Sequence, residues 1–203
     1  SGSWRLVLEV GLILGIVGIV SAHLLIPDIK AWWAGHLGNY VNTLAKAANW
    51  KLTAAQMKKM VHELAPIATG VVGFVVFIGT LIQLVLARWW QSSIFKPGAF
   101  REEFSNIRMT LVWAIIATLI ILAAVLKVAL AIDVIPVLIV PFMIAGLSFL
   151  HRLLAVNKYL LIPLVLIYVG MLFLTVYVVI PLALVGYFDC FIDFRARLLK
   201  NSA

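Results

Sequence analysis

Five stretches of the chain are apolar over enough length to cross a membrane as α-helices. A hydrocarbon core of about 30 Å requires about 20 helical residues at 1.5 Å each. The stretches are residues 6–26, 64–87, 109–126, 134–155 and 160–188. The second, third and fifth contain no Asp, Glu, Lys or Arg, and one such charge at the centre of a span costs about 2.5–3.5 kcal/mol on insertion scales. The pattern predicts an all-α fold, a polytopic transmembrane helical bundle of about five spans.

Prolines in the last two stretches predict bends. Pro136 and Pro141 lie in the first half of the fourth stretch, where a kink is expected because proline has no backbone N–H to donate. The fifth stretch contains Pro163 and Pro181; it is longer than a bilayer requires but too short for two full spans. We expect it to tilt, kink or leave the membrane before Asp189.

The longest polar segment, residues 27–63, lies between the first two stretches. Thr53 and Gln56 have the spacing of a helix-capping box. Beyond them, apolar residues recur at helical spacing and lysines occupy the other face (Met57, Met60, Val61 and Leu64; Lys58 and Lys59). This pattern predicts an interfacial amphipathic helix that leads into the second span.

Composition favours a single integral membrane domain over residues 1–203. The 203 residues are 65% hydrophobic and 12% charged, which is more apolar surface than a soluble domain of this length could bury. The net charge of +8 falls between the apolar stretches, where the lipid bilayer supplies anionic partners, so nucleic acid is not expected. A single cysteine, Cys190, excludes an intrachain disulfide.

No pattern in the sequence indicates catalysis. It contains no HExxH zinc motif, no glycine-rich phosphate loop and no Cys/His metal cluster. We therefore expect a protein that is not an enzyme and that uses no metal or cofactor.

Two groups of glycines have the spacing that lets helix backbones approach closely. Gly11, Gly15 and Gly18 lie on one face of the first stretch, and Gly70 and Gly73 lie in the second. They predict helix packing within the bundle. A docking surface for another membrane subunit or a second copy is the alternative.

A dense polar segment between the second and third stretches supplies most of the candidate binding residues. They are Arg88, Trp89, Trp90, Gln91, Arg101, Glu102 and Glu103. A Pro97-Gly98 turn separates the first four from the last three, and such a turn can return Arg88 to Glu102 or Glu103. Anchoring to headgroups is the alternative, because a guanidinium also binds phosphate.

Further binding candidates lie near the C-terminus and in the fourth stretch. Asp189, Asp193 and Arg195 belong to a polar segment in which Asp193 and Arg197 have the spacing of a helical ion pair. Asp189 is expected to face a cation or a basic group of a partner. His151 is either a binding residue or a side chain hydrogen-bonded at the interface.

Both polar segments carry a combination of residues that is moderately specific. It consists of Ala87-Arg88-Trp89-Trp90-Gln91, Lys96-Pro97-Gly98, Phe100-Arg101-Glu102-Glu103-Phe104, His151, and Asp189 with Asp193-Phe194-Arg195 and Arg197. In these residues the chain resembles the uncharacterised YybS-like family of bacterial membrane proteins. The resemblance implies a multi-pass protein of the inner (plasma) membrane. That family is distantly similar to the substrate-binding subunits of energy-coupling-factor vitamin transporters, which hold a solute and dock on an ATPase module.

Two functions follow as hypotheses. The first is a component of a transporter that binds a small solute within its helical bundle; it predicts a cavity lined by Trp, Gln83 or His151 and closed by residues 27–63. The second is a structural or assembly protein that recruits another membrane protein; it predicts a packed bundle with an exposed stripe of small residues.

The 27–63 segment should stay on one side of the membrane, because its uncharged part is too short and too polar to span. We expect cysteines introduced as Lys30→Cys and Lys58→Cys, on a Cys190→Ala background, to react with an impermeant maleimide from the same side. Labelling of the two positions from opposite sides would overturn this prediction.

Overall fold

The computed structural model describes residues 4–156, 159 and 161–192, which form α-helices and no strand. The helices are α1 (Trp4–Leu25), α2 (Ile29–Ala47), α3 (Ala54–Leu64), α4 (Ala68–Phe95), α5 (Ala99–Ser105), α6 (Leu111–Val125), α7 (Ala129–Val156), α8 (Leu161–Phe173) and α9 (Thr175–Ile192). A single 3₁₀ turn, Ala65–Ile67, joins α3 to α4. The predicted all-α membrane bundle is confirmed.

Four helical segments in the described residues are long and apolar enough to cross a membrane. They are Trp4–Leu25, Ala54–Phe95, Ala129–Leu154 and Thr175–Ile192. The third predicted stretch forms α6, whose 15 residues extend about 22 Å. That is shorter than a hydrocarbon core of about 30 Å, so α6 is a short apolar helix, as is α8.

The fifth predicted stretch contains a kink, which is one of the outcomes expected for it. The chain bends at Leu174, between α8 and α9. Gly170 permits the bend: a methyl group placed on it would lie 2.9 Å from a Val178 side-chain carbon. The expected prolines do not cause the break, since Pro163 lies in the first turn of α8 and Pro181 lies inside α9.

The fourth predicted stretch, α7, is the centre of the bundle. In its apolar segment 67% of residues are buried, against 17% for α1 and 28% for α9. Helices α1, α4, α6 and α9 all pack on it. It begins at Ala129, five residues before the predicted start, so Asp133 belongs to the helix, and Pro136 and Pro141 lie inside it.

Glycines set how closely the helices approach α7. A methyl group on Gly15 would lie 2.5 Å from Val137, and one on Gly73 would lie 2.8 Å from the same side chain. At Gly70 the neighbour is the backbone of α7, with 1.8 Å to the carbonyl oxygen of Asp133. The other two glycines singled out from the sequence differ from each other: Gly11 faces the Phe77 ring, whereas Gly18 has no atom within 4 Å of an added methyl group.

The crossing between α7 and α9 uses two further glycines, which no sequence motif indicates. A methyl group on Gly146 would lie 2.0 Å from the carbonyl oxygen of Leu182, and one on Gly186 would lie 2.0 Å from that of Phe142. Backbone therefore rests on backbone at this point. The two positions are 40 residues apart in different stretches, so no GxxxG spacing marks them.

Residues 27–63 form a helical hairpin that packs on the start of α4. The Asp28 carboxylate caps α2 by accepting the Ala31 N–H at 2.9 Å. The predicted capping box of α3 is confirmed: Thr53 N–H donates to Gln56 Oε1 at 2.8 Å, and Gln56 N–H donates to Thr53 Oγ1 at 3.2 Å. The location of this hairpin on the membrane surface stays a prediction.

A larger side chain at the α7–α9 crossing should destabilise the bundle, because its added atoms would contact backbone atoms, which cannot move aside as a side chain can. We expect Gly146→Val and Gly186→Val each to lower stability by about 1–3 kcal/mol or more, measured as a fall in the thermal unfolding temperature in detergent. Gly18→Val is the matched control, because its methyl groups enter open space. Equal decreases in the unfolding temperature at all three positions would contradict the close approach of α7 and α9.

Candidate functional site

The α5 end of the bundle brings together the start of α1 and the ends of α4 and α7. The rings of Trp4 and Phe100 meet edge to face with centroids 6.2 Å apart. Phe104 lies against His151, with ring centroids 5.1 Å apart. Most of the predicted binding residues in the described part of the chain are located here.

A tight turn folds α5 back against α4. Gly98 has a φ of 88°, a left-handed conformation that glycine adopts without steric cost. The Ser92 hydroxyl fixes both sides of the turn: it donates to the Lys96 carbonyl at 3.0 Å and accepts the Phe100 N–H at 3.0 Å. The Pro97-Gly98 turn predicted from the sequence thus reverses the chain.

Arg88 and Glu103 form a two-pronged ion pair across this turn. Arg88 Nε donates to Glu103 Oε2 at 2.9 Å, and Arg88 Nη2 donates to Glu103 Oε1. Arg88 Nη1 donates to Gln91 at 2.7 Å, and the Trp4 indole N–H donates to Glu103 Oε2 at 3.4 Å. The return of Arg88 to one of the two glutamates is therefore confirmed; the partner is Glu103, whereas Glu102 is exposed.

The ion pair orients α5 rather than burying charge. The two side chains are 35% and 34% exposed, so water screens their attraction. Two parallel hydrogen bonds nevertheless fix the orientation of both groups. The Arg88 guanidinium holds the pKa of Glu103 below its usual range by hydrogen bonding to its carboxylate.

A cavity of about 330 Å³ lies beneath α5. It is lined by Val85, Trp89, Ser92, Ser93, Gly98, Phe100, Arg101, Phe104, His151 and Tyr168. Three of the residues predicted from the sequence, Trp89, Arg101 and His151, therefore share one cavity. Residues 27–63 do not line it and Gln83 is exposed elsewhere on α4, so the expected closure by that segment is wrong; α5 covers the cavity instead.

Polar groups converge on the cavity from three helices. His151 Nδ1 donates to the Leu147 carbonyl at 2.9 Å, which leaves Nε2 directed to the Tyr168 hydroxyl 3.4 Å away. Arg101 brings a guanidinium that forms no ion pair within the described residues. Trp89, Phe100 and Phe104 supply aromatic surface. This arrangement suits a small planar molecule that carries negative charge.

The remaining predicted binding residues lie outside the cavity. Trp90 is 67% exposed on the outer face of α4. Asp189 is fully buried on α9, and a cation faces it as expected: Arg108 Nε lies 3.7 Å from its carboxylate, and Arg108 Nη2 donates to its carbonyl at 2.6 Å. Asp193 and Arg195 lie outside the described residues, as does the expected pair of Asp193 with Arg197.

Two important residues were missed. Tyr168 lies in an uncharged apolar run, where a single tyrosine gives no signal. Asp133 is 2% exposed on α7 and was overlooked because the apolar stretch was started one residue after it. Asp133 directly precedes the predicted stretch, so the residues flanking each apolar stretch must also be searched for acidic side chains.

No protein-family model, no curated protein and no solved structure matches this chain. Within the described residues, no group of three or more His, Cys, Asp or Glu side chains could hold a metal ion. The cavity and its own side chains are thus the basis for a functional proposal.

Exchanging the charges of Arg88 and Glu103 should restore the thermal stability that a single charge reversal removes. We expect Arg88→Glu to lower the thermal unfolding temperature by bringing two carboxylates together, and Arg88→Glu with Glu103→Arg to recover it, both measured in detergent at pH 7. Arg88→Glu with Glu102→Arg is the matched control and should not recover, because Glu102 does not contact Arg88.

Acid should weaken the same contact. Because the folded-state pKa of Glu103 is lowered, its stabilising contribution is present above the unfolded pKa of about 4.3 and is lost as pH falls through the lower folded value. We expect the unfolding temperature to fall more steeply below about pH 4.3 in the wild type than in Glu103→Gln. Parallel pH profiles for the two proteins would contradict the assignment.

Proposed function

We propose that this membrane protein binds a small planar anionic solute in the α5 cavity, as a component of a bacterial inner-membrane transporter. The observation that carries the proposal is the meeting of a guanidinium without an ion-pair partner in the described residues, an imidazole, a phenol hydroxyl and aromatic walls around one cavity. The groups come from α4, α5, α7 and α8, so their convergence is a product of the fold.

The size and lining of the cavity support a small aromatic acid. Its volume of about 330 Å³ is at the small end of the range of about 300–1,000 Å³ for ligand sites. Arg101 would pair with a carboxylate, while Tyr168 and His151 offer hydrogen bonds at the opposite wall. Trp89 and Phe104 present ring surface on which a planar solute would stack.

The position of α5 suggests how the cavity opens. Arg101, Phe100 and Phe104 all belong to α5, which covers the site, and the Arg88–Glu103 pair holds α5 to α4. Since this pair is partly exposed, it can separate at modest cost. Movement of α5 about the Gly98 turn would then expose the cavity, in the manner of a lid.

The resemblance to the YybS-like family supports a functional role for the same region. Residues on which it rests, among them Arg88 to Gln91, Phe100 to Phe104 and His151, gather at the α5 end. The inner-membrane location and the relation to substrate-binding subunits of energy-coupling-factor transporters enter only through this resemblance and are part of the proposal.

One observation favours the second function, recruitment of a membrane partner. An apolar groove of about 680 Å³ runs between α1 and α4, and its lining includes Gly11, Gly15, Gly18 and Gly73. Small residues on an outer face let another helix approach closely. The groove and the α5 cavity do not share a lining residue, so the two functions can be tested separately.

The solute proposal predicts charge-dependent binding at Arg101. We expect benzoate to bind the purified protein in detergent and its neutral counterpart benzamide to bind more weakly, measured by isothermal titration calorimetry alongside other one-ring carboxylates. Arg101→Gln should weaken carboxylate binding about tenfold or more, as the loss of one charge-assisted hydrogen bond implies. Arg5→Gln is the control, because Arg5 pairs with Glu9 on α1.

Three results would contradict the proposal: no response to any acid of the set, equal affinity for acid and amide, or equal effects of the two arginine variants. An assembly role instead predicts that Gly18→Leu, which fills the groove, changes the oligomeric state measured by light scattering while Arg101→Gln does not.

A further inference from the structure

Three helices meet at one buried carboxylate on the end of the bundle away from α5. Asp133 on α7 is 2% exposed. Its Oδ1 accepts the backbone N–H of Gly70, in the first turn of α4, at 2.7 Å. Its Oδ2 lies 3.0 Å from Nε2 of His23, in the last turn of α1. Both oxygens of the acid are therefore engaged by different helices.

The short contact between the imidazole and the carboxylate requires a proton. Two lone pairs facing each other at 3.0 Å would repel, so a hydrogen must lie between Nε2 and Oδ2. Gly70 donates to Oδ1 from a helix N-terminus, which favours a negative carboxylate. This geometry fits a carboxylate that accepts hydrogen bonds from the Gly70 N–H and from the Nε2–H of His23.

The remaining ring nitrogen, Nδ1 of His23, decides the net charge of the site. With Nδ1 unprotonated the ring is neutral and the pair has a charge of −1; with Nδ1 protonated the pair has a charge of zero. A net charge is costly in a low-dielectric bundle, whereas a neutral ion pair is less so. The His23 side chain is 20% exposed whereas that of Asp133 is 2% exposed, so a proton can reach the ring from outside.

We propose that His23 and Asp133 form a proton-binding site that takes up one proton at His23 Nδ1 and joins α1, α4 and α7. Ionisable side chains inside a membrane bundle are costly to bury, and chains of acids and histidines form the proton relays of pumps and transporters. The proposal does not depend on the solute cavity, which is at the other end of α7.

Among the described residues, no ion pair or hydrogen bond joins a further charged side chain to His23 or Asp133. Helix α1 brings no further charge to this end, and the first half of α4 and the 3₁₀ turn before it carry none. On α2, Asp28 uses its carboxylate to cap its own helix. Lys30 and Lys127, the nearest cations along the chain, form no ion pair or hydrogen bond with His23 or Asp133 among the described residues.

The site is linked to the helical hairpin beside it. Thr69, the residue before Gly70, accepts a hydrogen bond at 2.9 Å from the indole N–H of Trp33 on α2. The first turn of α4 thus holds Asp133 on one side and the hairpin on the other. A change in the charge of the pair acts on the same backbone turn that anchors α2.

The decisive measurement is the protonation of His23 itself. Protein labelled with ¹⁵N-histidine is titrated in detergent from pH 5 to pH 9, and the ring signals are assigned with single His→Gln variants. In the wild type we expect Nε2 of His23 to carry a proton at every pH of the series, because it donates to Asp133 at 3.0 Å, and Nδ1 to take up the second proton. Asp133→Asn should move the proton of the neutral ring to Nδ1, because the new amide oxygen accepts the Gly70 N–H and its NH₂ group then faces Nε2.

The controls keep the test independent of folding. Asp133→Asn preserves size and an oxygen for the Gly70 N–H, and the His62 ring signals should be the same in both proteins. If the variant does not fold, the wild-type tautomer and second protonation of His23 stand by themselves. A wild-type His23 that has Nε2 unprotonated or takes up no second proton, or a ring whose tautomer Asp133→Asn leaves unchanged, would overturn the proposal.

Discussion

Helices in a bilayer gain little by covering apolar side chains with one another, because lipid tails are equally apolar, so close backbone contact must hold this bundle together. α7 provides that contact on several sides. Gly70 of α4 rests on its backbone at Asp133, and Gly186 of α9 rests on it at Phe142. Dispersion forces act only over short distances, and they are largest where no side chain separates two helices.

The central position of α7 also explains why both candidate sites lie on it. Asp133 and His151 are separated by 18 residues of one helix, about 27 Å along its axis, which approaches the thickness of a hydrocarbon core. A side chain on a fully packed helix has few rotamers available. Each site therefore places a fixed group of α7 beside an outer element: α5 lies against His151, and the α2–α3 hairpin lies near Asp133.

The sequence was informative where the physical signal is local. Uncharged runs revealed the apolar helices, and the Thr53–Gln56 spacing revealed a cap, because each depends on neighbours in the chain. The Arg88–Glu103 contact was foreseeable, since the Pro97-Gly98 turn limits where the following helix can go. Three pairs of residues that are distant in the chain could not be foreseen: Gly146 with Gly186, Tyr168 with His151, and His23 with Asp133. Each pair is brought together only by the packing of helices.

The His23–Asp133 pair is difficult to explain as a structural device alone. Taking an acid out of water is expensive, and replacing a buried ion pair with well-packed apolar residues is often neutral or stabilising. The three helices already have close contacts nearby, at Gly15 and Gly73 against Val137 and at Gly70 against the α7 backbone. An apolar side chain at residue 133 would keep those contacts and avoid the desolvation of a carboxylate. What such a replacement would remove is the capacity of this end of the bundle to bind a proton, which is the property that distinguishes Asp133 from the apolar residues around it.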